Sequence, residues 1–330
     1  MNAAITPQPI PVTILTGFLG AGKTTLLNRI LSESHGQRIA VIENEFGEIG
    51  IDNELLLRDR EQIVEMNNGC ICCTVRGDLV RILGELADRR VAGTADFDRV
   101  IIETTGLADP APVAQTFFVD ERIGGDYLLD AIVTVVDAKH AGRQLDEHHE
   151  AQEQVGFADR LLLSKTDLIA AEEAQALETR LRAMNPRAPI SRVHFGETDL
   201  KDILDIRGFD LDEILKLEPD FLEDISHEHD DEVGSFVYRS ERPFDFARLI
   251  AFMELMVGQF GADLLRYKGV LHIAGNDRRI FFQGVHMLMG DVGGAPWAEH
   301  ERRESLLVFI GRNLPREQIL AALASCHTGV

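Results

Sequence analysis

Between residue 12 and about residue 195, short apolar runs alternate with stretches whose apolar positions recur at helical spacing. The runs are VTILT (12–16), IAVIE (39–43), VIIE (100–103), AIVTVVD (131–137), LLLSK (161–165) and PISRV (189–193). Each is rich in β-branched residues and apolar throughout, as a strand covered on both faces must be. Strands alternating with helices predict βαβ units and a mostly parallel, doubly wound sheet. Polar residues gather where the runs end, at Thr16, Glu43, Glu103, Asp137 and Lys165. Ligands of open α/β sheets bind outside the carboxyl ends of the strands, so the chemistry is expected along one edge.

The pattern changes after residue 209. Residues 210–232 hold eleven acidic side chains, one lysine and the stretch His227-Glu228-His229, which reads as a solvated linker. Beyond it, SFVYR (235–239), VLHIAG (270–275), RIFFQGV (279–285) and LLVFIG (306–311) read as strands. A helical pattern runs from Phe244 to Val257, and a last helix starts near Pro315. The expected organisation is therefore a first domain over 1–209, a linker over 210–232 and a smaller α+β domain with a mainly antiparallel sheet over 233–330.

Composition narrows the classes of partner. The formal net charge of -22 repels phosphate backbones and anionic lipid, so nucleic acid is not an expected ligand. No apolar run approaches the roughly 18 residues a membrane helix needs, and the first residues lack the basic segment of a secretory signal. A cytoplasmic protein is expected. Three of the four cysteines, Cys70, Cys72 and Cys73, lie almost side by side. They cannot make the spaced framework of a secreted disulfide protein, whereas a reducing compartment and a metal both fit them.

The first strand runs into GFLGAGKTT, Gly17 to Thr25, which satisfies G-x-x-x-x-G-K-[ST] through Gly17, Gly22, Lys23 and Thr24. In such a loop, Gly17, Gly20, Ala21 and Gly22 let backbone N–H groups wrap the β-phosphate, and Lys23 brings a charge to the β- and γ-oxygens. The Thr24 hydroxyl is suited to Mg²⁺, and Thr25 continues the loop into the helix. The fold class is accordingly α/β, a P-loop NTPase followed by the α+β domain. In LSKTD, Asp167 can accept from N1–H and the 2-amino group of guanine, which adenine cannot offer, and Lys165 can lie along the base plane. GTP is expected over ATP. In IIETTG, Glu103 stands where a Mg²⁺-linked carboxylate is needed, through a water, and Gly106 where the γ-phosphate is sensed.

TGFLGAGKTTLLN, VIENEFGE, NGCICC, TGLADP, VVDA and SKTD, with LLRYKG (264–269) and FQGV (282–285) further on, resemble the CobW-type family of P-loop GTPases, most closely its YjiA-like branch, over nearly the whole chain. The resemblance implies GTP hydrolysis coupled to divalent-metal binding, with roles in metal delivery, zinc homeostasis or cobalamin metabolism. Ser164 departs from the family's guanine motif, where asparagine is common. A hydroxyl makes fewer contacts than an amide, so modest guanine affinity is expected.

An extended strand would point Cys72 and Cys73 to opposite faces and hold Cys70 and Cys72 about 7 Å apart. Thiolates sharing one zinc, each about 2.3 Å from it, stand only about 4 Å from one another. The segment must turn, as Asn67-Asn68-Gly69 suggests. Val75, Leu79, Ile82, Leu83 and Leu86 follow at helical spacing, and the positive end of that helix favours thiolates. Zn²⁺ suits such ligands, with Co²⁺ and Ni²⁺ as competitors. A buried apolar cluster or a redox pair are the alternatives. The resemblance points to Glu43-Asn44-Glu45-Phe46-Gly47-Glu48, from which Glu43 or Glu48 would complete the metal site. His148 with His149, and His227 with His229, form two further clusters of a kind that is ordinarily solvated, and His194 either nears the guanine or caps a loop.

The expected function is a GTPase with Lys23, Thr24 and Glu103 at the reaction, whose nucleotide state controls delivery of zinc to a client metalloprotein. Turnover should be slow until a partner, a metal or formation of a homodimer completes the site. The rival readings are a GTP-dependent interaction switch with a structural metal and a cobalt-insertion factor of cobalamin biosynthesis.

Overall fold

A computed structural model describes residues 9–33, 36–43, 62–65, 73–200, 203–206, 233–261, 263–285, 288–297 and 302–329. Its first sheet consists of β1 (Ile10–Thr16), β2 (Ile39–Glu43), β3 (Gln62–Glu65), β4 (Arg99–Glu103), β5 (Tyr127–Asp137), β6 (Arg160–Ser164) and β7 (Ile190–Val193). The spatial order is β3-β2-β4-β1-β5-β6-β7, and every neighbouring pair is parallel.

Alternation along the buried strands divides their side chains between two cores. Ile14, Ile42 and Ile102 face one side with Leu79, Ile82, Leu83 and Leu86 of α2 (Cys73–Val91). Leu15, Val41 and Ile101 face the other with Leu26, Leu27 and Ile30 of α1 (Lys23–Ser32). This is the doubly wound arrangement that the continuous apolar runs predict. Among the described residues the other helices of this part are α3 (Ala111–Val119), α4 (Glu121–Asp126), α5 (Ala141–Glu147), α6 (His149–Phe157) and α7 (Ala171–Met184).

The second sheet holds β8 (Val233–Ser240), β9 (Leu264–Leu271), β10 (Arg278–Val285), β11 (Leu288–Pro296) and β12 (Ser305–Arg312). Its order is β11-β10-β9-β12-β8, antiparallel throughout. Helices Phe246–Phe260 and Arg316–Ser325 cover one face through Leu249, Met253 and Leu323, packed on Phe244, Tyr267 and Phe309. Leu265, Val308 and Ile310 share a core with Val155 and Phe157 of α6. Among the described residues no helix is long and apolar enough to cross a membrane.

Three strand assignments change. β3 and β11 escape the sequence pattern because QIVE is short and LMGDVGGAP contains three glycines. β9 runs over 264–271 rather than 270–275. Arg266 and Lys268 interrupt the apolar pattern of LLRYKG, yet both are buried in the strand. The reason is tertiary: Asp159, in the turn after α6, accepts from Arg266 Nη2 at 2.6 Å and from Lys268 Nζ at 3.2 Å. Its second oxygen accepts from the Ile132 backbone N–H at 2.9 Å, so one carboxylate binds β5 to the second sheet. The linker 210–232, with His227 and His229, lies outside the described residues.

Candidate functional site

The loop from Gly17 to Gly22 joins β1 to α1 at the carboxyl edge of the parallel sheet. Gly17 adopts φ 142°, and a Cβ there would stand 2.3 Å from the Val135 carbonyl oxygen, so only glycine lets the loop pass β5. Gly20 and Gly22 also have positive φ, 73° and 105°. Lys23 turns its ammonium back into the loop, donating to the Gly17 carbonyl at 2.9 Å and the Phe18 carbonyl at 3.4 Å. The next residue, Thr24, donates its hydroxyl to Glu103 Oε1 at 3.1 Å.

Glu103 closes β4 and is paired in register with Glu43 at the end of β2, which in turn is in register with Glu65. Thr104 extends this edge by donating to the Thr16 hydroxyl at 2.8 Å. Gly106 follows in the loop after β4. A Cβ on it would stand 2.7 Å from both the backbone nitrogen and Cδ2 of Leu19, so a side chain here would force this loop and the phosphate loop apart.

The segment after β6 closes the other side. Ser164 ends the strand and donates to the Ala21 carbonyl at 2.7 Å and the Val136 carbonyl at 3.2 Å. The residue that departs from the family's motif thus clamps the phosphate loop to the sheet. Lys165 has left the strand, with φ 56°, and donates to the Gly20 carbonyl at 2.6 Å and Asp137 Oδ2 at 2.7 Å. Burial alone would raise the Asp137 carboxyl, but hydrogen bonds and charge from Lys165 and His140 outweigh it and hold the group below the usual carboxylate range. Asp167 sits in the short turn Thr166–Leu168, with His194 Nδ1 3.5 Å from its carboxylate. Gly196, three residues beyond Val193, lies against α1 near the Thr25 carbonyl. One edge therefore carries all the expected nucleotide residues that are described.

Of the expected metal residues, Cys70, Cys72 and Glu48 lie outside the described residues. Cys73 is the first residue of α2, and Glu43 is buried at the end of β2. Among the described residues no group of three or more histidine, cysteine or acidic side chains is placed to hold a metal ion. His148 packs its ring against Phe18, with centroids 4.7 Å apart, and His149 opens α6. Sequence reasoning placed Asp137 at a strand end without a partner, and missed Thr104 and Gln154. Nothing local marks that Asp137 pairs with Lys165.

A glycine loop between the first strand and helix of a doubly wound parallel sheet, carrying a lysine and a threonine that meets a strand-end carboxylate, defines a P-loop nucleotide-binding protein. Residues 11–192 match the CobW/HypB/UreG nucleotide-binding domain, and residues 233–327 match the cobalamin synthesis protein cobW C-terminal domain. The chain belongs to the CobW/HypB/UreG family. It is 45% identical over 318 residues to the zinc chaperone YjiA of Escherichia coli strain K12, covering 96% of this chain and 98% of that protein. It is 36% identical over 309 residues to the zinc-regulated GTPase metalloprotein activator 1 of Dictyostelium discoideum, covering 81% of this chain and 64% of that one. The crystal structure of the Zn(II)-bound YjiA GTPase from E. coli superposes with a TM-score of 0.76 at 38% identity, covering 97% of this chain and 99% of that chain.

Proposed function

We propose that the chain is a GTPase of the cytoplasm whose nucleotide state controls delivery of zinc to a client metalloprotein. The observation that carries this reading is the convergence on one sheet edge of Lys23, the Thr24–Glu103 pair and Asp167, beside Glu43 in register with Glu103. The names of relatives matched over most of the chain, a zinc chaperone and a zinc-regulated GTPase, support the same activity and metal. Residues 1–209 are the GTPase unit in this proposal, 210–232 the linker and 233–330 the CobW-type C-terminal unit.

The work on phosphate is positioning and charge stabilisation. Lys23 leaves the Gly17 and Phe18 carbonyls and meets the β- and γ-oxygens. Two oxygen donors 3.1 Å apart, the Thr24 hydroxyl and the Glu103 carboxylate, suit a hard cation such as Mg²⁺. When bound, that ion supplies neutralisation of charge on the phosphate oxygens. Gly106 brings its loop against the phosphate loop, where the γ-phosphate is sensed. Asp167 accepts from guanine N1–H and the 2-amino group, and Lys165, fixed by Asp137, lines the base. Replacing Asp167 by alanine is expected to lower GTP affinity by about 100-fold and to leave ATP affinity unchanged, since two hydrogen bonds to a charged acceptor are lost only for guanine. Competition of the two nucleotides against a fluorescent analogue measures this.

Zinc is the cargo. Its ligands in this proposal are Cys70, Cys72 and Cys73 with a carboxylate from Glu43 or Glu48, and Co²⁺ or Ni²⁺ would compete for them. Glu43 shares its register row with Glu103, so a change at the γ-phosphate is one strand away from the cargo site. A chelator-competition titration of Zn²⁺ with GTP analogue, with GDP and without nucleotide tests the reading. Affinity is expected to shift at least about tenfold between nucleotide states, a coupling of about 1.4 kcal/mol, and the shift should vanish in Cys72→Ser. Tight binding indifferent to nucleotide would make the metal structural.

A further inference from the structure

Helix α6 touches both sheets. Near its middle the buried Gln154 donates from Nε2 to the Gly106 carbonyl at 3.2 Å and the Ala108 carbonyl at 3.0 Å. Both N–H bonds of its amide group are thereby used on one loop. The Gln154 main-chain carbonyl accepts from the Thr134 hydroxyl of β5 at 2.7 Å. Two residues on, Gly156 faces the second sheet, where a Cβ would stand 3.0 Å from Leu265 Cδ1 and 3.5 Å from Ile310 and Val233 side chains. Glu153 pairs with Arg312 of β12 at 2.8 Å. The end of the helix is held by Asn185, which donates to the Val155 and Ala158 carbonyls at 2.8 and 2.9 Å, and by Arg266, which donates to the Phe157 carbonyl. The helix is anchored to the second sheet and to β5, and of its two buried amides Gln152 stays on the Leu145 carbonyl of α5 while Gln154 ends on the loop after Glu103.

We infer that Gln154 is a positioning residue for the Gly106–Ala108 loop, and that through α6 the C-terminal sheet sets how well the site distinguishes GTP from GDP. The inference rests on the nucleotide reading proposed above. A carbonyl held by the glutamine fixes its whole peptide plane, and so fixes the direction of the N–H on the opposite side. Two such planes leave the loop one orientation against the phosphate loop. GDP lacks the group this loop faces, so orienting the loop changes the affinity of GTP alone, and only such differential contact shifts a preference.

The test uses the full chain with Gln154→Met, which keeps the volume and removes the donors, and Gln154→Glu, which turns a carboxylate on the two carbonyls. Titration with a non-hydrolysable GTP analogue and with GDP is expected to show analogue affinity reduced about tenfold in Gln154→Met, with GDP affinity held within about twofold. In Gln154→Glu the loss should be at least as large at alkaline pH and should ease as the carboxyl gains a proton and becomes a donor. Hydrogen exchange on the wild type gives a readout that needs no variant: amides of residues 153–157 and of β9 should be better protected with the analogue than with GDP. A ratio unchanged in folded Gln154→Met, a parallel loss of both nucleotides, or equal protection in the two states overturns the inference. Wild-type protein that binds no guanine nucleotide overturns the proposed function itself, and this inference with it.

Discussion

Replacing Lys23 by alanine is expected to reduce GTP turnover, as kcat/KM, by about 100- to 1000-fold, the loss seen when one preorganised donor is removed from a charged transition state. The ammonium is already inside the loop, donating to the Gly17 and Phe18 carbonyls, and the residue is 9% exposed. It exchanges these neutral carbonyls for phosphate oxygens, a stronger partner for a cation. GTP should lose more affinity than GDP, because the lysine reaches β- and γ-oxygens together. Folding should be less affected than turnover, since what is lost on folding is hydrogen bonding to neutral carbonyls, each worth about 1 kcal/mol. Steady-state turnover with urea unfolding of the same variant separates the two effects. Arginine at this position should not restore activity, because a planar guanidinium does not fit a cradle shaped for a point charge.

The second large effect is on stability. Asp159→Ala is expected to cost about 3–5 kcal/mol, the range for breaking a buried ion pair and leaving its partner charged. Here two cations lose their shared carboxylate, Arg266 and Lys268, both buried in β9, and the Ile132 N–H loses its acceptor. Because Asp159 belongs to the first sheet's side and both cations to the second, the loss should also loosen their docking and broaden the urea transition. Desolvation alone would raise the Asp159 carboxyl, but Arg266 and Lys268 overcome it and hold the group below the ordinary value of 3.8. A depressed acid stabilises the fold above its unfolded pKa and loses that contribution as pH falls through the folded one. Wild type should therefore lose stability steeply below about pH 4, and Asp159→Ala should lack that part of the acid limb. Burial draws Lys268 down to about 8 against the attraction of Asp159. Between that pH and 10.5 the unfolded chain binds the extra proton, so the contribution of this lysine to stability rises with pH there. Unfolding midpoints across pH on both proteins check both signs.

Much of the architecture is local enough to read from the chain. IAVIE and VIIE become buried parallel strands because an uninterrupted β-branched run has no polar face to turn to water. The phosphate loop is legible because its glycines answer a backbone demand that does not depend on the rest of the fold, as Gly17 against the Val135 carbonyl illustrates. The family, too, follows from motifs that each occupy a few consecutive residues.

What only the tertiary structure decided is how distant polar groups pair. Nothing in the sequence pairs Arg266 and Lys268 with Asp159, more than a hundred positions earlier, which the fold places beneath them. Ser164 reads as a weakened guanine contact until its hydroxyl is seen on the Ala21 carbonyl, and Gln154 reads as one more polar residue of a helix until its amide meets the Gly106 loop. Periodicity reports whether a residue is apolar, and burial of an apolar side chain needs no particular partner. Burial of a polar one does, and the partner is fixed by the crossing of elements in space rather than by spacing along the chain.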